Sequence, residues 1–134
     1  MGRSKQLGTK SELEVLQILW KSGIPLTSTE IIEQGEGKSW KDRSIHSILN
    51  NLLDKEEIHV VGKVSAGKNY ARQFAPCITE EDYLAKQIAG SELYQKNWAT
   101  ISFKNVVSNL IKDSDNKNEL IHELKELIDE LEND

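Results

Sequence analysis

Residues 40–53 read WKDRSIHSILNNLL, and this stretch decides the fold prediction because a helix would give it two different faces. One face gathers apolar residues at the i, i+3, i+4 spacing of a core-facing helix: Ile45, Ile48, Leu49, Leu52 and Leu53. The other face carries one cation, one imidazole, hydroxyls and carboxamides: Arg43, His46, Ser47 and Asn50, with Ser44 and Asn51 beside them. Such side chains can reach phosphates and base edges in a DNA major groove. An ordinary amphipathic helix with a solvated polar face has the same pattern, so the flanking sequence has to decide.

Two shorter helices are predicted before this stretch. Ser11 and Glu14 have the spacing of a capping box and would begin the first helix, which Gly23 would end. Thr27 and Glu30 form a second capping box, which begins a short second helix. Residues 1–9 are predicted to be a mobile arm.

A β-hairpin is predicted after the third helix. Residues 58–75 read IHVVGKVSAGKNYARQFA, in which a β-branched segment, a turn with glycine and an alternating segment follow one another. Lys63 and Lys68 flank the tip. Three short helices and a hairpin predict a mainly α chain with a winged helix-turn-helix, in which the third helix enters the groove and the hairpin is the wing.

The C-terminal part is predicted to be helical, with helices at about 79–89, 92–112 and 117–132. These helices carry apolar residues that need a partner surface: Trp98, Val107, Leu110, Leu120, Leu124, Leu127, Ile128 and Leu131. We therefore expect a winged-helix DNA-binding domain at 1–78 and a helical dimerisation domain at 79–134, since two-fold dimers are the commonest oligomers. The alternative is that the last helix folds back on its own winged domain.

Charge differs between the two parts. The 134 residues carry a net charge of −5, which divides into about +2 for residues 1–78 and −7 for residues 79–134. Cys77 is the single cysteine, so it forms neither an internal disulfide nor a thiolate metal cluster. It is either a redox-sensitive thiol or an inert, partly buried hinge residue. With no apolar run of about 20 residues and no signal-peptide core, we expect a soluble cytoplasmic protein.

The chain resembles the penicillinase-repressor family of transcriptional regulators over most of its length. Residues 11–20 resemble the family's opening helix, where a Glu and a Trp are typical, and residues 38–52 resemble its recognition helix. The family pattern there is a Trp, a Ser-Pro-Lys-Thr run, an aliphatic residue, a basic residue, a Thr and two aliphatics. Arg43 stands at the Lys position, and Ser44 and Ser47 stand at the Thr positions. The resemblance implies a homodimeric repressor on a palindromic operator, with genes of the β-lactam-resistance type as candidate targets.

The recognition helix departs from the family pattern at several positions. His46 replaces the usual Arg, Asn51 replaces another basic residue, and Lys41-Asp42 replaces Ser-Pro. The helix is therefore less cationic, which implies a different operator or weaker phosphate contacts. His46 can titrate near neutral pH, so it either makes DNA affinity pH-dependent or is an ordinary surface histidine.

The resemblance also bears on how repression would be lifted. The copper-responsive branch has a Cys-rich tail, which residues 120–134 lack. The β-lactam-responsive branch is cut by a regulatory protease at an Asn-Phe bond, and Asn109-Leu110 is the nearest equivalent here. The alternative for Leu110 is a buried leucine on a helix.

The sequence is compatible with two functions of different classes. In a DNA-binding repressor, Lys41 and Arg43 would contact phosphates or a guanine, Asn50 or Asn51 an adenine, and the two serines would contact bases or the backbone. Lys63 and Lys68 on the wing would neutralise phosphates. The alternative is a winged-helix protein-interaction module that does not bind DNA. No enzyme, cofactor or metal site is predicted, because the histidines lie in three different elements: His46, His59 and His122.

Overall fold

The computed structural model describes residues 8–97 and 100–134, which form two compact units divided between Ser91 and Glu92. The described part of the first unit contains α1 (Lys10–Ser22), α2 (Ser28–Gln34), a 3-10 turn (Asp42–Ser44), α3 (Ile45–Asp54), β1 (Ile58–Ala66), β2 (Asn69–Pro76) and α4 (Glu80–Ala89). The second contains α5 (Glu92–Asn97), α6 (Phe103–Lys112) and α7 (Lys117–Glu132). This order confirms a mainly α chain with a winged helix-turn-helix followed by further helices.

The predicted start of α1 is wrong by two residues. Thr9 is the N-cap, and its Oγ1 accepts a hydrogen bond from the Glu12 backbone N–H at 3.2 Å. The Glu12 carboxylate accepts in turn from the Thr9 N–H at 3.4 Å, so these two residues form the capping box. Ser11 lies inside the helix, and the carboxylate of Glu14 bonds to a loop instead. Of the predicted arm at 1–9, residues 1–7 lie outside the described part.

The predicted start of α3 at about Trp40 is also wrong, because a 3-10 turn at Asp42–Ser44 comes first and the helix begins at Ile45. The end of α1 and the starts of α2 and α4 are confirmed. Gly23 closes α1 in the left-handed region with φ 69°, where glycine has no steric penalty. Thr27 and Glu30 form the predicted capping box at the start of α2, with bonds of 3.2 and 2.8 Å. Thr79 caps α4 by accepting from the Asp82 N–H at 3.0 Å.

One apolar core joins α1, α2, α3, the hairpin base and α4. Its buried side chains are Val15, Leu16, Leu19, Leu26, Ile31, Trp40, Ile45, Ile48, Leu49, Leu52, Ile58, Phe74 and Tyr83. Leu26 and Phe74 exchange backbone hydrogen bonds of 3.0 and 2.8 Å, which fasten the base of the wing to the segment before α2. The core therefore holds α3 and the wing in one body.

The hairpin is antiparallel and has the predicted tip. Ala66 pairs with Asn69, so Gly67 and Lys68 form a two-residue turn. Gly67 has φ 65° and Lys68 does not have a positive φ, which is the pattern of a type II′ turn. A bulge between Val60 and Gly62 shifts the register near the base.

The predicted single helix over 92–112 is wrong, because α5 ends at Asn97 and α6 begins only at Phe103. Ser102 explains the restart, since its hydroxyl accepts from the Asn105 N–H at 3.2 Å and caps α6. The break at residues 113–116 and the bounds of the last helix are confirmed. No described helix is both long and apolar enough to span a bilayer.

Helix α4 packs on the rest of the first unit, which we call the winged-helix unit. Trp20 Nε1 donates to the carbonyl of Ile78 at 2.8 Å, and its ring lies edge-to-face with Tyr83, with centroids 5.8 Å apart. Lys86 Nζ lies 3.1 Å from the buried carboxylate of Glu57. The structural division thus follows α4, whereas the functional boundary expected after residue 78 stays a prediction.

Candidate nucleic-acid interface

The two predicted faces of α3 are confirmed by burial. Ile45, Ile48, Leu49 and Leu52 are buried in the core, and Leu53 is half-buried. The residues predicted to contact DNA are exposed on and just before the helix: Lys41, Arg43, His46, Ser47, Asn50 and Asn51. Ser44 is half-buried at the junction of the 3-10 turn and α3.

The exposed residues follow helical spacing. His46, Ser47 and Asn50 share one side of α3, and Asn51 flanks them. Arg43 is exposed in the 3-10 turn directly before the helix, not on the helix as predicted. Together these residues offer cationic, hydroxyl and carboxamide groups. Their donors and acceptors can match base edges and phosphate oxygens.

Asp42, the acidic residue that directly precedes Arg43, is paired. Asp42 Oδ1 lies 2.8 Å from Lys38 Nζ, four residues earlier. The same ammonium lies 5.1 Å from the ring centroid of the buried Trp40. Lys38 therefore offsets the carboxylate that replaces the proline of the family pattern.

Glu14 fixes the loop that leads into α3. Its Oε1 accepts from both the N–H and the hydroxyl of Ser39, each at 2.9 Å. Both bonds lower the pKa of the Glu14 carboxyl below its usual value, and the bond from the Ser39 backbone N–H has the larger effect. The interaction ties the loop to α1, where sequence reasoning had placed Glu14 in a helix cap.

A buried ion pair fixes the other end of α3. Lys55, the C-cap residue, places its Nζ 2.6 Å from Glu12 Oε1, and the two side chains are only 8% and 4% exposed. Glu12 is also the capping-box residue of α1. One carboxylate thus connects the first turn of α1 with the end of α3.

The wing carries more positive charge than predicted. Lys63 in β1 and Lys68 in the tip are exposed, as expected. The structure adds Arg72, which is exposed and lies directly opposite Lys63 in the strand register. The alternation at residues 70–74 was visible in the sequence, but only the register shows which strand residues face each other.

The comparison with known families decides the identity. The sequence model of the family described as "Penicillinase repressor" matches residues 8–130. The chain belongs to the penicillinase-repressor family. A relative named "Penicillinase repressor" from Bacillus licheniformis is 25% identical over 125 residues, which cover 92% of this chain and 90% of the relative. Membership supports a transcriptional repressor with a DNA-binding winged helix.

The second unit of this penicillinase-repressor family member has no fully buried side chain among the residues described from 92 onward. An apolar groove of about 570 Å³ runs between α6 and α7. Val107, Leu120 and Leu124 are half-buried, whereas Leu127, Ile128 and Leu131 are exposed. All six lie on α6 and α7, and Trp98 lies outside the described residues.

The candidate cleavage bond lies on the surface of α6. Asn109 and Leu110 are both exposed, and Leu110 keeps 69% of its area accessible. In the single subunit Leu110 is thus not a buried leucine, and its predicted place in a dimer surface stays a prediction. The peptide bond lies inside a regular helix, so a protease that binds extended substrate would require α6 to unwind locally.

Cys77 and His122 are not part of α3. Cys77 is exposed, not partly buried as expected for a hinge residue, and its backbone N–H donates to the Glu57 carbonyl at 2.8 Å. Desolvation, and then the nearby Glu56 carboxylate, raise the pKa of this thiol above its usual value. His122 lies 3.5 Å from Glu126 on α7. The residues described contain no cluster of three or more metal-ligating side chains.

Proposed function

We propose that the protein is a sequence-specific DNA-binding repressor that acts as a homodimer on a palindromic operator. The observation that carries this proposal is the exposed row formed by His46, Ser47 and Asn50 on α3, with Arg43 exposed in the 3-10 turn just before it, on a helix whose opposite side is buried. Helices of this kind enter the major groove in winged helix-turn-helix proteins. Family membership supports the same role.

The predicted contact residues divide by chemistry. Lys41 and Arg43 contact phosphates or the O6 and N7 acceptors of a guanine, for which an arginine fork is suited. Asn50 or Asn51 pairs with adenine, because a carboxamide offers one donor and one acceptor side by side. Ser44 and Ser47 bond to the backbone or to bases.

His46 and the wing supply the remaining contacts. His46 stands in the exposed row, where a ring N–H of its imidazole can donate to a phosphate oxygen or a base edge. Lys63 and Lys68 neutralise phosphates next to the half-site, so that affinity falls as salt rises.

The dimer forms through the apolar surfaces of α6 and α7. Leu127, Ile128 and Leu131 are 47%, 54% and 63% exposed, which a soluble helix does not sustain without a partner surface. A two-fold axis pairs identical surfaces and presents two recognition helices to a palindrome. The half-sites then lie about one helical turn or a multiple apart.

Release of repression is proposed to follow cleavage at Asn109-Leu110 by a regulatory protease. Both residues are exposed in the single subunit, which supports access when the subunits separate, and a cut within α6 would remove part of the dimer surface. By family analogy, genes of the β-lactam-resistance type are the first targets to examine.

The test is a mobility-shift titration against the protein's own upstream DNA, at two salt concentrations, with random DNA of equal length as competitor. Competitor-resistant binding that weakens with salt supports the repressor. Binding no tighter than to random DNA, extended to a genomic selection that finds no preferred site, contradicts it. That result would favour the winged-helix protein-interaction module.

A further inference from the structure

Two cations face each other on the wing. Lys63 and Arg72 are directly opposed in the antiparallel register, so their side chains lie on the same face of the hairpin, and both are exposed. Within residues 8–97 and 100–134, no acidic side chain pairs with either of them. Like charges at opposed positions destabilise a strand pair. The free protein therefore holds an unfavourable arrangement that a bound anion would relieve.

Arg72 is positioned by its own strand. Its guanidinium carbon lies 5.2 Å from the ring centroid of Phe74, two residues further along the same face. Phe74 is 2% exposed and is bonded through its backbone to Leu26, so the ring is fixed by the core. Stacking leaves the guanidinium N–H groups free to donate in the plane of the fork.

The two faces of the hairpin differ in charge. The face with Lys63 and Arg72 continues to Tyr70, whose side chain is 71% exposed and whose hydroxyl can donate to an oxygen. The opposite face carries the uncharged pair Val64 and Ala71. The strand cations are therefore segregated onto one face, next to an exposed aromatic residue.

We propose that Arg72 and Lys63 together bind one phosphate group of the DNA backbone beside the half-site, and that Arg72 is a DNA-positioning residue. This inference rests on the proposed repressor function. A phosphate between the two cations replaces their repulsion with two attractions, and an arginine fork matches two phosphate oxygens. Lys68 at the tip then contacts a different phosphate.

The experiment measures binding of the full chain to duplex DNA from its own upstream region by fluorescence anisotropy over a series of salt concentrations. The variants are Lys63→Gln, Arg72→Gln and the double variant, and Lys125→Gln is the matched control. Lys125 is an exposed cation on α7, so Lys125→Gln removes the same formal charge as each single wing variant.

Each wing variant is expected to weaken binding about tenfold, as for the loss of one charged hydrogen bond. The double variant should also reduce the slope of log affinity against log salt by about 0.9, the value for one lost phosphate contact, and each single variant should reduce it by less because the other cation still neutralises that phosphate. Because both side chains bind one phosphate, the double variant should lose less than the product of the single losses. Lys125→Gln should match the wild type.

The free protein gives a second readout. Lys63→Gln should raise the melting temperature of the unbound protein, because it removes the repulsion from Arg72, while it lowers DNA affinity. A lower melting temperature for this variant would overturn the repulsion argument. If Arg72→Gln kept the affinity and salt slope of Lys125→Gln while the wild type bound its operator, the inference would fail and the repressor function would stand. Wild-type binding no better than to random DNA would refute both.

Discussion

The buried pair of Glu12 and Lys55 gives the sharpest stability prediction. We expect Glu12→Gln to destabilise the winged-helix unit strongly, although it changes a single atom. Glutamine can still accept the capping hydrogen bond from Thr9, so the helix start is kept. What is lost is the charge that faces the ammonium at 2.6 Å, where the side chains are 8% and 4% exposed.

The expected loss of folding stability follows from two opposing contributions, Coulomb attraction and desolvation. At the 2.6 Å separation, Coulomb attraction is worth about 6 kcal/mol with an effective dielectric constant of about 20. Desolvation costs several kcal/mol per ion, so the intact pair contributes little net stability. Glu12→Gln removes the attraction and leaves the Lys55 ammonium buried, which costs roughly 3 kcal/mol. With a urea dependence of about 1.5 kcal/mol per molar, the midpoint should fall by about 2 M.

The assay is urea unfolding followed by tryptophan fluorescence, because Trp20 and Trp40 both belong to this unit. Asp42→Asn is the matched control, since it breaks an ion pair of 2.8 Å whose carboxylate is 63% exposed. The control should cost less than about 1 kcal/mol. A loss for Glu12→Gln no larger than that of the control would refute the claim that burial sets the cost.

Three further predictions concern function and pH. Asn50→Ala should relax sequence preference, with a loss of about 1–3 kcal/mol of discrimination at one base pair. Lys68→Ala should weaken binding to all DNA sequences about equally. Competition binding measures both, and a changed base preference with unchanged affinity in Lys68→Ala would contradict this division of roles. Burial, and then the carboxylates of Glu57 and Glu12, raise the pKa of Tyr83 to about 12. The folded state therefore favours the protonated phenol, and this contribution to stability is fully present below the unfolded pKa of about 10. It should be lost as pH rises towards 12. In melting experiments over this pH range, Tyr83→Phe should not show this loss. Ile128→Glu should shift sedimentation towards monomers and weaken operator binding; an unchanged dimer would remove Ile128 from the interface.

The sequence predicted the winged-helix unit well because its local patterns and its core agree. The apolar stripe of α3 matches its buried side, and Thr27 with Glu30 begins α2 as expected. The error at α1 arose because Thr9-Glu12 and Ser11-Glu14 both have capping-box spacing. The tertiary structure decides which pair caps the helix, because the Glu14 carboxylate is hydrogen-bonded to the loop before α3 and is not available for a cap.

The candidate site was predicted on the helix but only in part on the wing. Helical spacing places His46, Ser47 and Asn50 on one side without further information, but it did not predict the 3-10 turn that carries Arg43. Strand register depends on the turn and on the bulge near Val61, so the pairing of Lys63 with Arg72 could not be worked out from spacing alone. The break before α6 was missed because Ser102 stands in an otherwise helical pattern.

The absence of a fully buried side chain among the described residues from 92 onward has a consequence for gene control. If α6 and α7 complete their packing only against a second subunit, then folding of this unit is linked to subunit concentration by mass action. Dilution would both separate the subunits and loosen them, which exposes single chains to degradation. Occupancy of the operator would then vary more steeply than in proportion to protein level, and a modest fall in repressor would be enough to switch transcription on.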